Sequence, residues 1–297
     1  MRFPFFALVA GHAFLSLSTP VSAEDNRIRS EERGTWRHSV HSRFQARSTI
    51  VEVLLPEKFE HTKKYRVVYV LPVEPNEERK FGDAIQVVRK FGYHNKHDVI
   101  FVLPTFCVSP WYGNHASDPK NRQEDYLIKD VLPLVERTYP TMETAEGRLL
   151  LGFSKSGWGA LSLILRNPSV FGYAASWDAP LMMTEKQFGS WRTDEAFGTP
   201  ENMALYLPSA LLQERFAPFK EKTRIVVSGV NLFGNFADKK HPYEGPSHTD
   251  AFHSAADSAG VLHIYEPGLK TSHAWVDDWM GTVTGRLLEL PESHRKP

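Results

Sequence analysis

The stretch that decides the fold is Arg148-Leu-Leu-Leu-Gly-Phe-Ser-Lys-Ser-Gly-Trp-Gly-Ala160. Its apolar run from Leu149 to Leu151 is typical of a buried strand, and a helix is predicted to continue through Leu165. A serine between a strand and a helix is the layout of a nucleophile elbow, a tight turn that presents the hydroxyl to a cleft. The start of the helix places backbone N–H groups beside that hydroxyl. The stretch therefore predicts Ser154 as a nucleophile.

One position departs from the usual Gly-x-Ser-x-Gly pattern, because Ser156 stands where the last glycine is expected. A small residue is needed there, since the helix packs close to the strand beneath the turn. Serine is still a small residue, and Gly157 and Gly159 leave further room for the helix to approach the strand. Glycine-serine turns between a strand and a helix also occur without catalysis, so the rest of the chain must support the hypothesis.

Strands and helices alternate on both sides of this stretch. The predicted strands are 41–44, 48–55, 65–73, 99–103, 149–151, 173–177, 225–230 and 262–265, and the predicted helices are 77–91, 124–139, 154–165, 248–259 and 275–290. This alternation favours an α/β protein with a mostly parallel central sheet and helices on both faces. An N-terminal antiparallel hairpin, with the elbow after the fifth strand, is the order of an α/β-hydrolase.

The N-terminal residues 1–23 have the pattern of a signal peptide. A basic start precedes an apolar run from Phe3 to Leu17, and the segment ends in the small residues Val21-Ser22-Ala23. The run is short for a membrane span, so we expect cleavage, no stable membrane insertion afterwards, and a secreted or periplasmic protein; an uncleaved anchor is the alternative. We expect a polar leader with a first edge strand at 24–45, and the hydrolase domain at 46–297 with a cap-like insertion at about 181–222.

Composition excludes some classes of function. The chain has 35 Lys plus Arg and 35 Asp plus Glu, so it has no net positive charge that would favour binding to nucleic acid. Cys107 is the only cysteine, which excludes an internal disulfide and disfavours a thiolate metal site. We see no metal-ligand spacing of histidines and carboxylates on one helix, and we expect neither a metal nor a cofactor.

A serine nucleophile needs a base, and in this strand order the base follows the last strand. His273 lies between the last predicted strand and the closing helix. The acid departs from the usual pattern, because Asn231 stands at the strand end where a carboxylate is usual. Asp178, at the end of the preceding strand, is the first choice to orient His273. Asp238 is the second choice, and a dyad with Asn231 as the orienting group is the third.

The remaining site residues follow from position. An oxyanion hole needs two N–H donors, and we predict the backbones of Lys155 and Glu74, since Pro72 has no N–H to give. We expect aromatic residues to line the substrate pocket, namely Trp111 and Tyr112 in one loop and Trp191 in the insertion; ordinary packing is the alternative.

These motifs resemble a known family. Gly152-Phe-Ser-Lys-Ser-Gly-Trp-Gly-Ala-Leu161 is similar to the Gly-x-Ser-Met-Gly-Gly-x-Gly-Ala-Leu run of the putative-esterase family, and His273-Ala-Trp275 is similar to its His-x-Trp element. That family includes S-formylglutathione hydrolases, antigen 85 mycolyltransferases and feruloyl esterases. The resemblance implies an α/β-hydrolase fold with Ser154 as nucleophile and His273 as base.

Three functions remain open on the sequence alone. The leading one is an exported serine hydrolase that cleaves small-molecule or carbohydrate esters through an acyl-enzyme. The second is an acyltransferase in which a sugar hydroxyl replaces water. The third is a non-catalytic relative that binds carbohydrate or peptide, a possibility raised by the missing acid at Asn231.

Overall fold

The computed structural model describes residues 27–229, 248–267 and 271–290. Within these residues nine strands form one sheet. The strands are β1 (Arg27–Ser30), β2 (Thr35–Val40), β3 (Thr49–Leu54), β4 (Val67–Val70), β5 (Ile100–Pro104), β6 (Arg148–Phe153), β7 (Tyr173–Trp177), β8 (Ile225–Gly229) and β9 (His263–Pro267). The predicted signal peptide, Asn231 and Asp238 lie outside the described residues.

Helices connect most of the later strands. They are α1 (Ala84–Lys90), α2 (Tyr93–Lys96), α3 (Gln123–Tyr126), α4 (Leu132–Thr138), α5 (Ser154–Arg166), α6 (Thr193–Phe197), α7 (Pro200–Ala204), α8 (Pro208–Glu214), α9 (His248–Ala259) and α10 (Asp277–Glu289). Short 3₁₀ turns lie at Ala145–Gly147, Glu185–Gln187, Ser190–Arg192 and Ala217–Phe219.

The sheet order is β1-β2-β3-β5-β4-β6-β7-β8-β9. The β1–β2, β2–β3 and β3–β5 pairs are antiparallel, and every pair from β5–β4 to β8–β9 is parallel. This is the α/β-hydrolase architecture, with the antiparallel N-terminal part that the sequence predicts. Chemistry in such sheets gathers at the carboxyl ends of the parallel strands.

Apolar side chains are buried on both faces of the sheet. One cluster includes Trp158 and Leu161 of α5, and the other includes Ile85 of α1 and Trp279 of α10. Helices therefore cover both faces, which explains why the central strands β4, β6 and β7 are almost continuously buried.

The polar leader is more ordered than its composition suggests. The sequence predicts a polar leader with one edge strand at 24–45, whereas the structure has two strands there, β1 and β2, which form a hairpin within residues 27–40. Arg33 joins this hairpin to the domain, with Nη2 2.8 Å from Glu52 Oε2 and Nη1 2.7 Å from Asp83 Oδ2. The Arg27 guanidinium lies 4.7 Å from the centre of the Trp36 ring. Contacts that are distant in sequence thus order a segment with little apolar character.

Three predicted elements differ from the structure. No strand forms at 41–44, where the chain turns and Gln45 makes only an isolated bridge with Asn121. The helix predicted at 77–91 begins at Ala84, because the Asp83 carboxylate accepts a hydrogen bond from the Gln86 N–H and caps it there. The helix predicted at 124–139 is divided by a π-helical turn at Leu127–Val131.

The described residues include no helix that is both long enough and apolar enough to cross a membrane.

Two glycines in helices give opposite predictions for stability. A Cβ at Gly159 of α5 would lie 2.0 Å from Cδ2 of the buried Tyr112, whereas a Cβ at Gly285 of α10 would meet no atom within 4 Å. We expect Gly159→Ala to lower the free energy of unfolding by about 1–3 kcal/mol through overpacking. We expect Gly285→Ala to raise it by up to about 1 kcal/mol, because alanine favours helix. Urea denaturation measures both, and changes of the same sign would contradict the packing argument.

Candidate active site

The β6–α5 turn has the backbone geometry of a nucleophile elbow. Strand β6 ends at Phe153 and α5 begins at Ser154, whose φ is +53°. Residues other than glycine rarely adopt this left-handed backbone conformation, so the surrounding structure must stabilise it. A Cβ at Gly152 would lie 2.3 Å from the Ser156 carbonyl oxygen, which is why the turn needs glycine there. The Ser154 side chain therefore stands at the carboxyl end of a central strand.

The departure at Ser156 has a structural explanation. Its hydroxyl accepts a hydrogen bond from the Phe153 N–H at 3.0 Å and donates one to the Phe153 carbonyl at 2.8 Å. The close approach to the neighbouring strand occurs at Gly157 instead, where a Cβ would lie 2.6 Å from Ser176 Oγ. Ser156 thus closes the turn with side-chain hydrogen bonds while Gly157 supplies the space.

Asp178 and His273 form a close pair. Asp178 Oδ2 lies 2.8 Å from His273 Nδ1, and the Asp178 side chain is only 3% exposed. Asp178 follows β7 directly, has a φ of +45°, and donates its N–H to the Ser228 carbonyl at 2.8 Å. The His273 ring supplies the hydrogen-bond partner that a buried carboxylate needs, because desolvation without one is costly.

The pairing of β6 with β7 brings Asp178 close to Ser154. Phe153 and Trp177 are register partners in the parallel ladder, and Ser154 and Asp178 each follow their strand by one residue. His273 belongs to the segment before α10, and its ring centroid lies 5.1 Å from that of Phe153. The three residues predicted as nucleophile, base and acid are therefore gathered at one edge of the sheet.

An aromatic cluster that the sequence analysis did not identify surrounds His273. The Phe81 ring lies 5.9 Å from the imidazole and the Trp177 ring 6.0 Å, both measured between centroids. The Trp275 N–H also donates to the Phe81 carbonyl at 2.7 Å, which ties the His273 segment to the loop after β4. These contacts restrict where the imidazole can lie.

The Lys155 side chain lies among the loops around the site. Its Nζ donates to Ser109 Oγ at 2.6 Å. Burial, and secondarily the positive charge of Arg192, lower the pKa of Lys155 to about 8. The amino group is therefore mostly charged at neutral pH but loses its proton far more easily than an exposed lysine.

Glu74 lies near Lys155. Burial raises the pKa of the Glu74 carboxyl, and the charges of Glu74 and Lys155 act on one another across the site. The two segments predicted to supply oxyanion donors are thus neighbours, the loop after β4 and the start of α5.

The aromatic residues predicted to line the pocket are placed differently from one another. Trp111 and Tyr112 are 1% and 0% exposed, so they pack in the core and do not form an open wall. The Tyr112 hydroxyl donates to the Pro72 carbonyl, and Trp111 Nε1 donates to the Trp191 carbonyl at 3.1 Å. Trp191 alone of the three is partly exposed. The sequence alone cannot distinguish an aromatic loop residue that packs in the core from one that binds substrate.

His248 is a further neighbour of Asp178 that the sequence analysis placed only in a helix. It is 5% exposed, and its Nδ1 accepts the Met182 N–H at 2.9 Å. Burial lowers the pKa of His248 to about 4 despite the nearby Asp178 charge. His248 is therefore neutral at neutral pH and acts as a fixed hydrogen-bond acceptor.

Comparison with known families identifies the chain. The sequence model described as Putative esterase matches residues 42–208. The chain belongs to this putative-esterase family. The match includes Ser154 and Asp178, and His273 lies beyond its end.

Relatives of this putative-esterase chain are known in sequence and in structure. Esterase Rv1288 of Mycobacterium tuberculosis (strain ATCC 25618 / H37Rv) is 29% identical over 149 residues, which is 47% of this chain and 30% of that relative. The chain thus matches less than a third of the length of this relative. The solved structure of an S-formylglutathione hydrolase from Agrobacterium tumefaciens has a TM-score of 0.65 at 13% identity, over 86% of this chain and 95% of that one. A ferulic acid esterase has a TM-score of 0.62 at 18% identity, over 86% and 96%. These structural likenesses show the fold.

The lowered pKa of Lys155 gives a direct prediction. Its amino group should titrate with a midpoint near pH 8, whereas exposed lysines titrate at about pH 10.4. Because the folded-state pKa lies below the unfolded one, this group makes stability rise as pH increases from about 8 towards 10.4. NMR of ¹³C-methylated lysines measures the midpoint, and the Lys155→Arg variant assigns the signal by its loss. A midpoint above pH 10 would mean that Lys155 is solvated.

Proposed function

We propose that this protein is a serine hydrolase that cleaves carboxylic esters, with Ser154 as nucleophile, His273 as base and Asp178 as the acid that orients the base. The observation that carries the proposal is the 2.8 Å contact between Asp178 Oδ2 and His273 Nδ1 beside the Ser154 turn. Ester hydrolysis is also the activity in the description of the family.

The first half of the proposed reaction forms an acyl-enzyme. His273 Nε2 takes the Ser154 hydroxyl proton while Oγ attacks the carbonyl carbon of the ester. The tetrahedral intermediate then collapses, and the ester C–O bond breaks as the leaving alcohol receives the proton from His273. In the second half, His273 removes a proton from water, the resulting hydroxide attacks the acyl-enzyme, and the acid is released with Ser154 restored.

The role proposed for Asp178 follows from its burial. By accepting the Nδ1–H of His273, the carboxylate holds the imidazole in the tautomer that leaves the Nε2 lone pair for the Ser154 proton. It also stabilises the imidazolium that forms when His273 takes this proton. At 3% exposure, Asp178 acts on His273 with little screening by water.

Charge that develops on the carbonyl oxygen needs donors. We propose the backbone N–H groups of Lys155 and Glu74 as these donors. Lys155 lies in the first turn of α5, whose N–H groups have no helical partners. Glu74 lies in the neighbouring loop after β4. The charged Lys155 amino group adds positive potential close to the same place at neutral pH.

The position of the acid bears on the competing hypotheses. The non-catalytic alternative rested on the missing acid at Asn231, and the pairing of His273 with Asp178 removes that motive. No observation favours acyl transfer over hydrolysis. We propose a small-molecule or carbohydrate ester as substrate, with Trp191 as the aromatic residue that can contact it. Export stays a prediction from residues 1–23.

Loss of the nucleophile should abolish activity. We expect the protein to hydrolyse p-nitrophenyl acetate or butyrate, and Ser154→Ala to lower kcat by at least about 10³-fold, because the acyl-enzyme cannot form. A fluorophosphonate should label the wild-type chain at Ser154 and leave Ser154→Ala unlabelled. Equal hydrolysis by both proteins, or labelling at another serine, would contradict the assignment.

Loss of the acid should slow the reaction without preventing folding. Asp178→Asn keeps the shape of the side chain but favours the wrong His273 tautomer, so we expect kcat to fall by about 10²–10⁴-fold with KM little changed. Asp194→Asn, at an exposed position in the insertion, is the matched control and should keep full activity. A loss of less than about tenfold at Asp178 would contradict the proposal and favour Asp238, our second choice.

A further inference from the structure

A cluster of metal-binding side chains lies away from the site described above. His253 and Asp257 are four residues apart on α9, and His263 is the first residue of β9. One ligand atom from each of the three side chains lies within 4.8 Å of the other two. We had expected no pairing of histidine and carboxylate at ligand spacing on one helix, and that expectation was wrong for His253 and Asp257. His263 could not be added from sequence, because it belongs to the next element.

The hydrogen bonds of His263 fix its tautomer. Its Nδ1 lies 2.8 Å from the Val261 carbonyl, which can only accept, so Nδ1 carries the proton. The Nε2 lone pair of neutral His263 therefore points at His253 Nδ1, 2.8 Å away. Histidines that bind metals are commonly arranged in this way, with one ring nitrogen bonded to a carbonyl and the other directed to the ion.

The His253 ring is also held in place. It stacks on Tyr265 with ring centroids 4.1 Å apart and planes 6° from parallel, and the Tyr265 hydroxyl donates to Asp250. The Asp257 carboxylate lies 3.5 Å from His253 Nε2 and 4.0 Å from His263 Nε2. Two imidazoles thus face one another beside a carboxylate, and a single cation between the facing nitrogens would satisfy all three groups.

We propose that His253, Asp257 and His263 bind a divalent metal ion of the zinc type, which fastens α9 to β9. Imidazole and carboxylate ligands suit Zn²⁺, which binds nitrogen at about 2.0–2.1 Å in tetrahedral sites. Tetrahedral ligands at that distance are about 3.3 Å apart, so the facing nitrogens need to separate by only about 0.5 Å. Asp257 is 63% exposed and can rotate towards the ion, and water supplies the fourth ligand.

The location indicates a structural role. His263 pairs with Ile225, the first residue of β8, so the site lies at the amino ends of the parallel strands. Ser154 lies at the carboxyl end of β6, at the opposite end of the sheet. The metal would hold the edge strand β9, which leads to the segment that carries His273, and it would take no part in the ester chemistry.

Zinc binding by the full chain tests the proposal. After treatment with a chelator, we expect isothermal titration with ZnCl₂ at pH 7.5 to show one strongly bound ion per chain. We expect the Tm to rise by about 5 °C when the free Zn²⁺ concentration is about a hundred times Kd, because the ion binds only the folded state. Co²⁺ in place of Zn²⁺ should give the visible absorption of a tetrahedral site.

Variants locate the ion. His253→Gln and Asp257→Ala alter partly or largely exposed positions on α9 and should weaken Zn²⁺ binding by at least about 100-fold, while circular dichroism and ester hydrolysis without metal stay unchanged. His61→Gln, at an exposed histidine elsewhere, should bind like the wild type. Wild-type protein that binds no Zn²⁺, or variants that bind it as tightly as the wild type, would overturn the proposal.

Discussion

The left-handed turn at Ser154 is the constraint on which the rest of the site depends. A residue with a side chain adopts a φ of +53° at a cost of about 1–3 kcal/mol, so its surroundings must stabilise it. The two hydrogen bonds of the Ser156 hydroxyl to Phe153 stabilise the turn. The lack of side chains at Gly152 and Gly157 lets the turn pack closely against its surroundings. Asp178 adopts the same region of φ one residue after the partner strand. Two adjacent parallel strands thus end in the same kind of turn, and each turns a polar side chain towards the same place.

The proposed orienting acid, Asp178, lies at a different strand end from the one where a carboxylate is usual. The carboxylate comes from the end of β7, whereas the end of β8 leads to Asn231. Both strand ends face the same edge of the sheet, so a carboxylate on either could reach the imidazole. Asp178 is held by its burial and by the hydrogen bond from its N–H to the Ser228 carbonyl of β8.

Much of this arrangement could be predicted from sequence because it follows strand order. The elbow, the place of His273 after the last strand and the choice of Asp178 at a strand end all use local pattern and topology. An N-terminal antiparallel hairpin was predicted, but the strands at 27–30 and 35–40 were not, because Arg33 meets partners 19 and 50 residues away, at Glu52 and Asp83. Trp111 and Tyr112 were misplaced because an aromatic residue in a loop has the same sequence signal whether it packs or binds. The role of Ser156 could be recognised only from its two hydrogen bonds to Phe153.

The β1 strand has a consequence for behaviour at high concentration. Among the described residues it is an outer strand of the sheet, and outer strands can pair with strands of other molecules. The sequence of β1 alternates arginine with other residues, and the guanidinium groups of Arg27 and Arg29 lie 4.7 and 5.4 Å from the Trp36 ring centre. Two positive charges beside this strand would repel the same charges of a second copy, so we expect them to disfavour edge-to-edge pairing of two molecules through β1.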